Sequence, residues 1–105
     1  MGRWVAVALA RSVAPGTGRT VLAGGKRLAL FRDGDGFHAL DDQCPHRGAS
    51  LGEGLLSEGA VICPWHSWEF DVRTGQNPRA PEISVRRYPA RVVGGTVEVE
   101  IPEGE

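Results

Sequence analysis

The sequence predicts an all-β fold, and three observations predict it. Glycine fills 15 of 105 positions, about twice its ordinary share, which calls for many turns and close backbone approaches. Short runs rich in branched and aromatic residues recur between Gly- and Asp-rich pairs, the pattern of strands joined by tight turns. No long stretch keeps an apolar period near 3.6, so helices are expected to be minor.

Taken in order, residues 4–10 form the first apolar run and the first expected strand. Gly16-Thr17-Gly18 lacks the rest of a phosphate-binding glycine signature and reads as a turn. Strands follow at 20–23, 26–32 and 37–40, joined by Gly24-Gly25 and by Asp33-Gly34-Asp35-Gly36, and with the first run they are expected to form an antiparallel meander. His38 falls inside the alternating pattern of the third of these and reads as a strand residue. The middle of the chain, 41–81, holds both cysteines, two of the three histidines and many of the Gly and Pro residues, so it reads as a site and not a core. Residues 83–87 are a further strand. Residues 88–93 pair with 96–101 across Gly94-Gly95, with Val97, Val99 and Ile101 on the core face and the glutamates opposite. Pro89, which has no N–H, makes the start of that partner an edge or a bulge.

Length bounds the chain to one modest core. Twelve basic and thirteen acidic residues give a net charge of -1, without the basic excess that nucleic acid demands. The longest apolar run is far shorter than the ~20 residues of a membrane span. Its end, Ala8-Leu9-Ala10, mimics a secretory cleavage site but lies too close to residue 1 for a usual leader. Two cysteines make no disulfide framework, and a reducing, cytoplasmic setting is expected. The motifs of serine hydrolases and zinc proteases are missing.

The chemistry lies in two pairs, Cys44-Pro45-His46 and Cys63-Pro64-Trp65-His66, separated by sixteen residues. Thiolate with imidazole suits zinc, iron or an iron-sulfur centre, whereas hard ions would prefer carboxylates. Proline after each cysteine fixes φ and stiffens the loop. From the residues alone a single structural zinc held by Cys44, His46, Cys63 and His66 stays open.

Cys-x-His, sixteen residues, then Cys-x-x-His resembles the Rieske 2Fe-2S motif, and the flanks agree: Cys44 to Leu51, Cys63 to Asp71 and Arg73-Thr74-Gly75 are similar to soluble bacterial Rieske-type ferredoxins and to the small subunit of NAD(P)H-dependent nitrite reductase. The resemblance implies one 2Fe-2S cluster per chain, with Cys44 and Cys63 on one iron and His46 and His66 on the other. It implies the Rieske fold: an antiparallel β-sandwich-like base, 1–42 and 73–105, with a small cluster-binding subdomain, 43–72, in a single domain. It further implies a one-electron carrier without bond chemistry of its own, passing electrons from a flavin-dependent reductase to a terminal ring-hydroxylating oxygenase. The alternative is the nitrite reductase small subunit, whose partner is the large subunit. Ligand histidines exposed at the tip are implied as well, with a potential that falls as pH rises through their oxidised-state pKa values.

The respiratory-chain Rieske pattern braces its site with an extra cysteine in each loop; the matching positions here hold Ala49 and Trp65. It also carries hydroxyl donors where this chain has Trp68 and Phe70. Losing donors to a cluster that gains negative charge lowers the potential, so a value in the lower half of about -150 to +300 mV is expected. Ser67 is either a loop cap or a replacement donor. Trp65 and Trp68 are read as packing around the cluster. The segment Asn77-Pro78-Arg79-Ala80-Pro81 is either a cover over the cluster or a rigid turn. Arg47, Glu53, Glu58 and Arg79 are candidates for a docking face, against an ordinary solvated surface.

Overall fold

A computed structural model describes residues 2–34, 36–45, 48–64 and 68–102. Among the described residues there is no α-helix, only two short 3-10 turns, Ala10–Ser12 and Leu51–Glu53, and twelve strands. The strands are β1 (Gly2–Leu9), β2 (Thr17–Ala23), β3 (Lys26–Asp33), β4 (Gly36–Asp41), β5 (Leu55–Ser57), β6 (Ala60–Ile62), β7 (Glu69–Asp71), β8 (Gln76–Asn77), β9 (Ala80–Ser84), β10 (Arg87–Tyr88), β11 (Ala90–Val93) and β12 (Thr96–Pro102). Among the described residues no helix is long and apolar enough to cross a membrane.

These strands build three layers. An outer sheet runs β1-β12-β11, and a middle sheet runs β10-β4-β3-β2. Between them lies the first core, where Val21, Leu28, Leu30, Ala39, Tyr88, Val97, Val99 and Ile101 meet. On the other face of the middle sheet sit the small sheet β5-β6-β7 and the hairpin β8-β9, over a second core of Ala29, Phe31, Leu40, Cys44, Leu51, Val61, Cys63, Phe70 and Val72, so the single core expected from length is two, and the segment 41–81, expected to be a site and not a core, supplies most of the second because the middle sheet is covered on both faces. The hinge between the cores is β3. Its residues Leu28, Ala29, Leu30 and Phe31 are all fully buried, alternately facing the first and second core, as strand periodicity requires. A strand covered on both faces reads as an unbroken apolar run, and Leu-Ala-Leu-Phe is that run.

The expected turns are present. Gly94 and Gly95 both have positive φ, 57° and 81°, as a two-residue hairpin requires, and β12 alternates buried and half-buried as predicted. Several pairings differ from the expectation. The first strand does not join the meander: β2, β3 and β4 do, while β1 pairs antiparallel with β12 in the outer sheet. The segment between β1 and β2, with its 3-10 turn and buried Val13, carries the chain from one layer to the other. Thr17 and Gly18 belong to β2, not to a turn; Gly18 lies opposite Phe31, and a Cβ there would strike the phenyl ring. The stretch 88–93 is not one strand. At Pro89 the chain switches sheets, so Tyr88 pairs with Ala39 in the middle layer and Ala90 with Val99 in the outer one. The strand expected at 83–87 is likewise divided, Ser84 ending β9 and Arg87 opening β10.

Candidate metal centre

Both cysteines lie in the second core, Cys44 at 0% and Cys63 at 2% exposure, and neither is in a disulfide. Their loops close alike. The Cys44 N–H donates to the Ala49 carbonyl at 2.8 Å, and the Cys63 N–H donates to the Trp68 carbonyl at 2.6 Å; in each case the acceptor lies five residues on. Each loop thus has the same span, with its cysteine at the base. Loop one is extended by the bridge Gln43–Ser50 and by Leu51 N–H donating to the Asp42 carbonyl, while loop two grows from β6 and β7.

Of the four expected ligands, the structure brings Cys44 and Cys63 into one core. His46 and His66 lie outside the described residues, as do Arg47, Trp65 and Ser67. Two desolvated thiols at the bases of matched loops suit a centre of soft, thiolate-preferring character, and the residues present fit a 2Fe-2S cluster. Ala49 is buried and provides the carbonyl that closes loop one. Phe70 is fully buried in the same core as both cysteines and has no hydroxyl to donate; Trp68 packs against that core, half-buried. The proline segment forms the β8-β9 hairpin, whose Asn77, Pro78, Arg79 and Ala80 line a groove of about 460 Å³ with Trp68, Glu69 and Ile83. It is therefore a turn that also flanks the second loop. His38 sits on β4 opposite Phe31. Burial first, then the Arg73 guanidinium, holds its pKa below the ordinary 6.5, against a smaller opposing pull from Asp33.

A residue the motif reading missed anchors loop one. Among the described residues, Asp42 is the buried charged group, at 4% exposure. Its Oδ1 accepts from the Thr20 hydroxyl at 2.9 Å and from the Gly52 N–H at 2.9 Å, and the Ser50 hydroxyl lies 2.9 and 2.8 Å from its two oxygens. Arg27 Nη2 stands 3.5 Å from Oδ2. A carboxylate can be buried when its lone pairs are met this way. The network ties the ligand loop (Ser50, Gly52) to β2 of the middle sheet (Thr20). Gly52 is needed there, since a Cβ would collide with the Thr20 backbone and hydroxyl. No local signal marks Asp42, because its partners are distant in sequence. Tyr88 was also overlooked: its buried hydroxyl donates to Asp41 Oδ1 at 2.7 Å, and Arg86 stacks on its ring at 5.3 Å.

A family model described as the Rieske [2Fe-2S] domain matches residues 3–89. The ferredoxin subunit of anthranilate 1,2-dioxygenase from Burkholderia cepacia is 46% identical over 81 residues, covering 76% of this chain and 75% of that one. A chain in the complex of reduced oxygenase and oxidized ferredoxin of carbazole 1,9a-dioxygenase superposes with a TM-score of 0.82 at 37% identity, covering 92% of each. An NADH-dependent nitrite reductase small subunit from Mycobacterium tuberculosis superposes with a TM-score of 0.89 at 30% identity, covering 96% of each. The chain belongs to the Rieske [2Fe-2S] domain family. It is a Rieske-type ferredoxin, an electron carrier with a 2Fe-2S cofactor and not itself an enzyme.

Proposed function

We propose that this chain is the ferredoxin component of a multicomponent ring-hydroxylating oxygenase, taking single electrons from a flavin-dependent reductase and passing them to a terminal oxygenase in the cytoplasm. The observation that carries the reading is the pair of matched loops that seat Cys44 and Cys63 in one dry core, together with the similarity to dioxygenase ferredoxin subunits. Cys44, His46, Cys63 and His66 are the proposed ligands, on a subdomain of 43–72 set upon a base of 1–42 and 73–105.

When bound, the cluster supplies one-electron chemistry at a potential that its two imidazole ligands raise above that of all-cysteine centres. The chain supplies the rest. Leu51, Val61, Phe70 and Val72 exclude water from the thiol side. The closing bonds from Ala49 and Trp68 fix the loop shapes, and the Asp42 network holds loop one against the rigid middle sheet. A site that changes shape little on reduction transfers electrons quickly, and these restraints favour that. The alternative of a nitrite reductase small subunit has the superposition on its side, while the more identical relative is a dioxygenase ferredoxin.

Anaerobically reconstituted protein should be red-brown, carry two iron and two labile sulfide per chain, and give a reduced-state EPR g average below that of an all-cysteine cluster. His46→Ala and His66→Ala should each abolish that spectrum. Colourless protein with one zinc per chain would overturn the reading, and stable copurification with a sirohaem-bearing large subunit would transfer it to the alternative.

A further inference from the structure

One-electron reduction adds a negative charge to the ligand end of the fold. A fixed charge that stands close to that end, inside the protein and away from salt, therefore biases the balance between the two oxidation states. Among the described residues, the buried carboxylate of Asp42 has that character.

Asp42 is two positions before Cys44, so their Cα atoms are no more than about 7 Å apart. Loop one joins them a second time. The Cys44 N–H donates to the Ala49 carbonyl, and the next residues, Ser50 and Gly52, donate to the Asp42 carboxylate. These partners suit the ionised form, because a backbone N–H and a guanidinium only donate and a carboxylate only accepts. Leu51, between Ser50 and Gly52, is fully buried in the same core as Cys44, so the charge borders that core.

It is opposed from one side. Arg27 of β3 places Nη2 3.5 Å from Oδ2, with its side chain 64% exposed against 6% for Asp42. Both line a cavity of about 650 Å³ with Lys26, Asp41, Gln43 and Ser50. Lys26 lies over the Tyr88 ring at 5.7 Å and Asp41 accepts the Tyr88 hydroxyl, so these two charges are directed toward the base. Asp42 and Arg27 stand at loop one.

We propose that Asp42 and Arg27 set the reduction potential in opposite senses: the buried carboxylate disfavours the reduced state, and the exposed guanidinium offsets part of that effect. This rests on the electron-carrier reading above. Burial decides which prevails. Water and ions weaken the pull of an exposed Arg27 on the added electron, whereas the field of a buried Asp42 is screened much less. Asp42 thus acts through its charge, apart from the bonds by which it holds the loop.

The test is a spectroelectrochemical titration of reconstituted holoprotein, each variant compared with the wild type at the same salt. Asp42→Asn should shift the one-electron equilibrium about three- to tenfold toward the reduced state, or about +30 to +60 mV at 59 mV per decade. Arg27→Gln should shift it about two- to threefold the other way at low salt. At high salt the Arg27→Gln shift should fade and the Asp42→Asn shift persist. Glu100→Gln, which removes an acid of the outer sheet, should leave the potential unchanged. The proposal is overturned if Asp42→Asn keeps the wild-type spectra and the wild-type potential, or if both variants shift in the same direction, as loosening of the loop would cause. Should Asp42→Asn fail to hold the cluster, Arg27→Gln decides alone: a potential that does not fall at low salt overturns the proposal. Failure of the electron-carrier reading shows separately, as wild-type protein without a visible spectrum that ferricyanide and dithionite cycle.

Discussion

The two cores of this small protein are held by different means. The base core lies between long strands: β1 and β12 pair over seven positions and β2 and β3 over seven, and its lining is almost wholly Val, Leu, Ile and Ala. The ligand-side core is covered by strands of three residues, β5, β6 and β7, and depends on specific polar anchors such as the Asp42 network. Both rest on opposite faces of β3. The base therefore carries the stability, and the ligand side has short strands because its loops must serve the metal centre. Its shape is fixed by a few directed bonds in place of extensive ladders.

The largest test of this division compares two neighbours on β3. Phe31→Ala should cost about 3–5 kcal/mol and Leu30→Ala about 2–5 kcal/mol by chemical denaturation. Only Phe31→Ala, which opens the second core, should also speed loss of visible absorbance when the holoprotein is incubated with an iron chelator. Equal rates of loss in both variants would mean that the two cores do not behave separately.

A smaller effect is expected at the anchor. Asp42→Ala leaves the Gly52 N–H without its acceptor and the Thr20 and Ser50 hydroxyls, 2.9 Å apart, with only each other, and should cost about 1–3 kcal/mol. Asp42→Asn keeps most of the network, since its carbonyl can accept from Gly52 and Thr20 while its amide donates to the Ser50 hydroxyl. Cluster retention should follow the same order, wild type and Asn above Ala. Should Asn behave like Ala, the carboxylate charge, and not the bonding pattern, holds the loop.

The smallest effect is at the seam. His38 lies on the ligand-side face of β4, near the Arg73–Asp33 pair, whose Nη2–Oδ2 separation is 3.3 Å. Its folded pKa is lowered below 6.5 by burial and by Arg73, so on acidification the unfolded chain takes up the proton first. Its contribution is therefore fully present above pH 6.5 and is lost as pH falls from 6.5 toward the lower folded value. Thermal melts of the wild type should show this loss, and His38→Gln should show less of it; identical pH profiles would remove His38 from the account.

Much of this was legible in the chain because it is local. Alternation identified β12, glycine pairs located the hairpins, and the cysteine–histidine spacing pointed to the metal centre. The unbroken Leu28-Ala29-Leu30-Phe31 run was also a visible sign of a strand buried on both faces, although alternation-based reading passes over it. Pairing choices were not legible. That β1 joins β12, that the chain changes sheets at Pro89, and that Gly18 lies beneath Phe31 each depend on residues far apart in sequence. Asp42 belongs with these, since Thr20 stands twenty-two residues before it and nothing adjacent requires its burial.

The sequence by itself determined the strand character, the turns and the kind of centre, because periodicity, φ preference and ligand softness are properties of short segments. Only the tertiary structure decided which strands share a sheet and which acid is buried. Those outcomes depend on how two apolar faces of one strand are covered at once, and that is a competition settled across the whole chain.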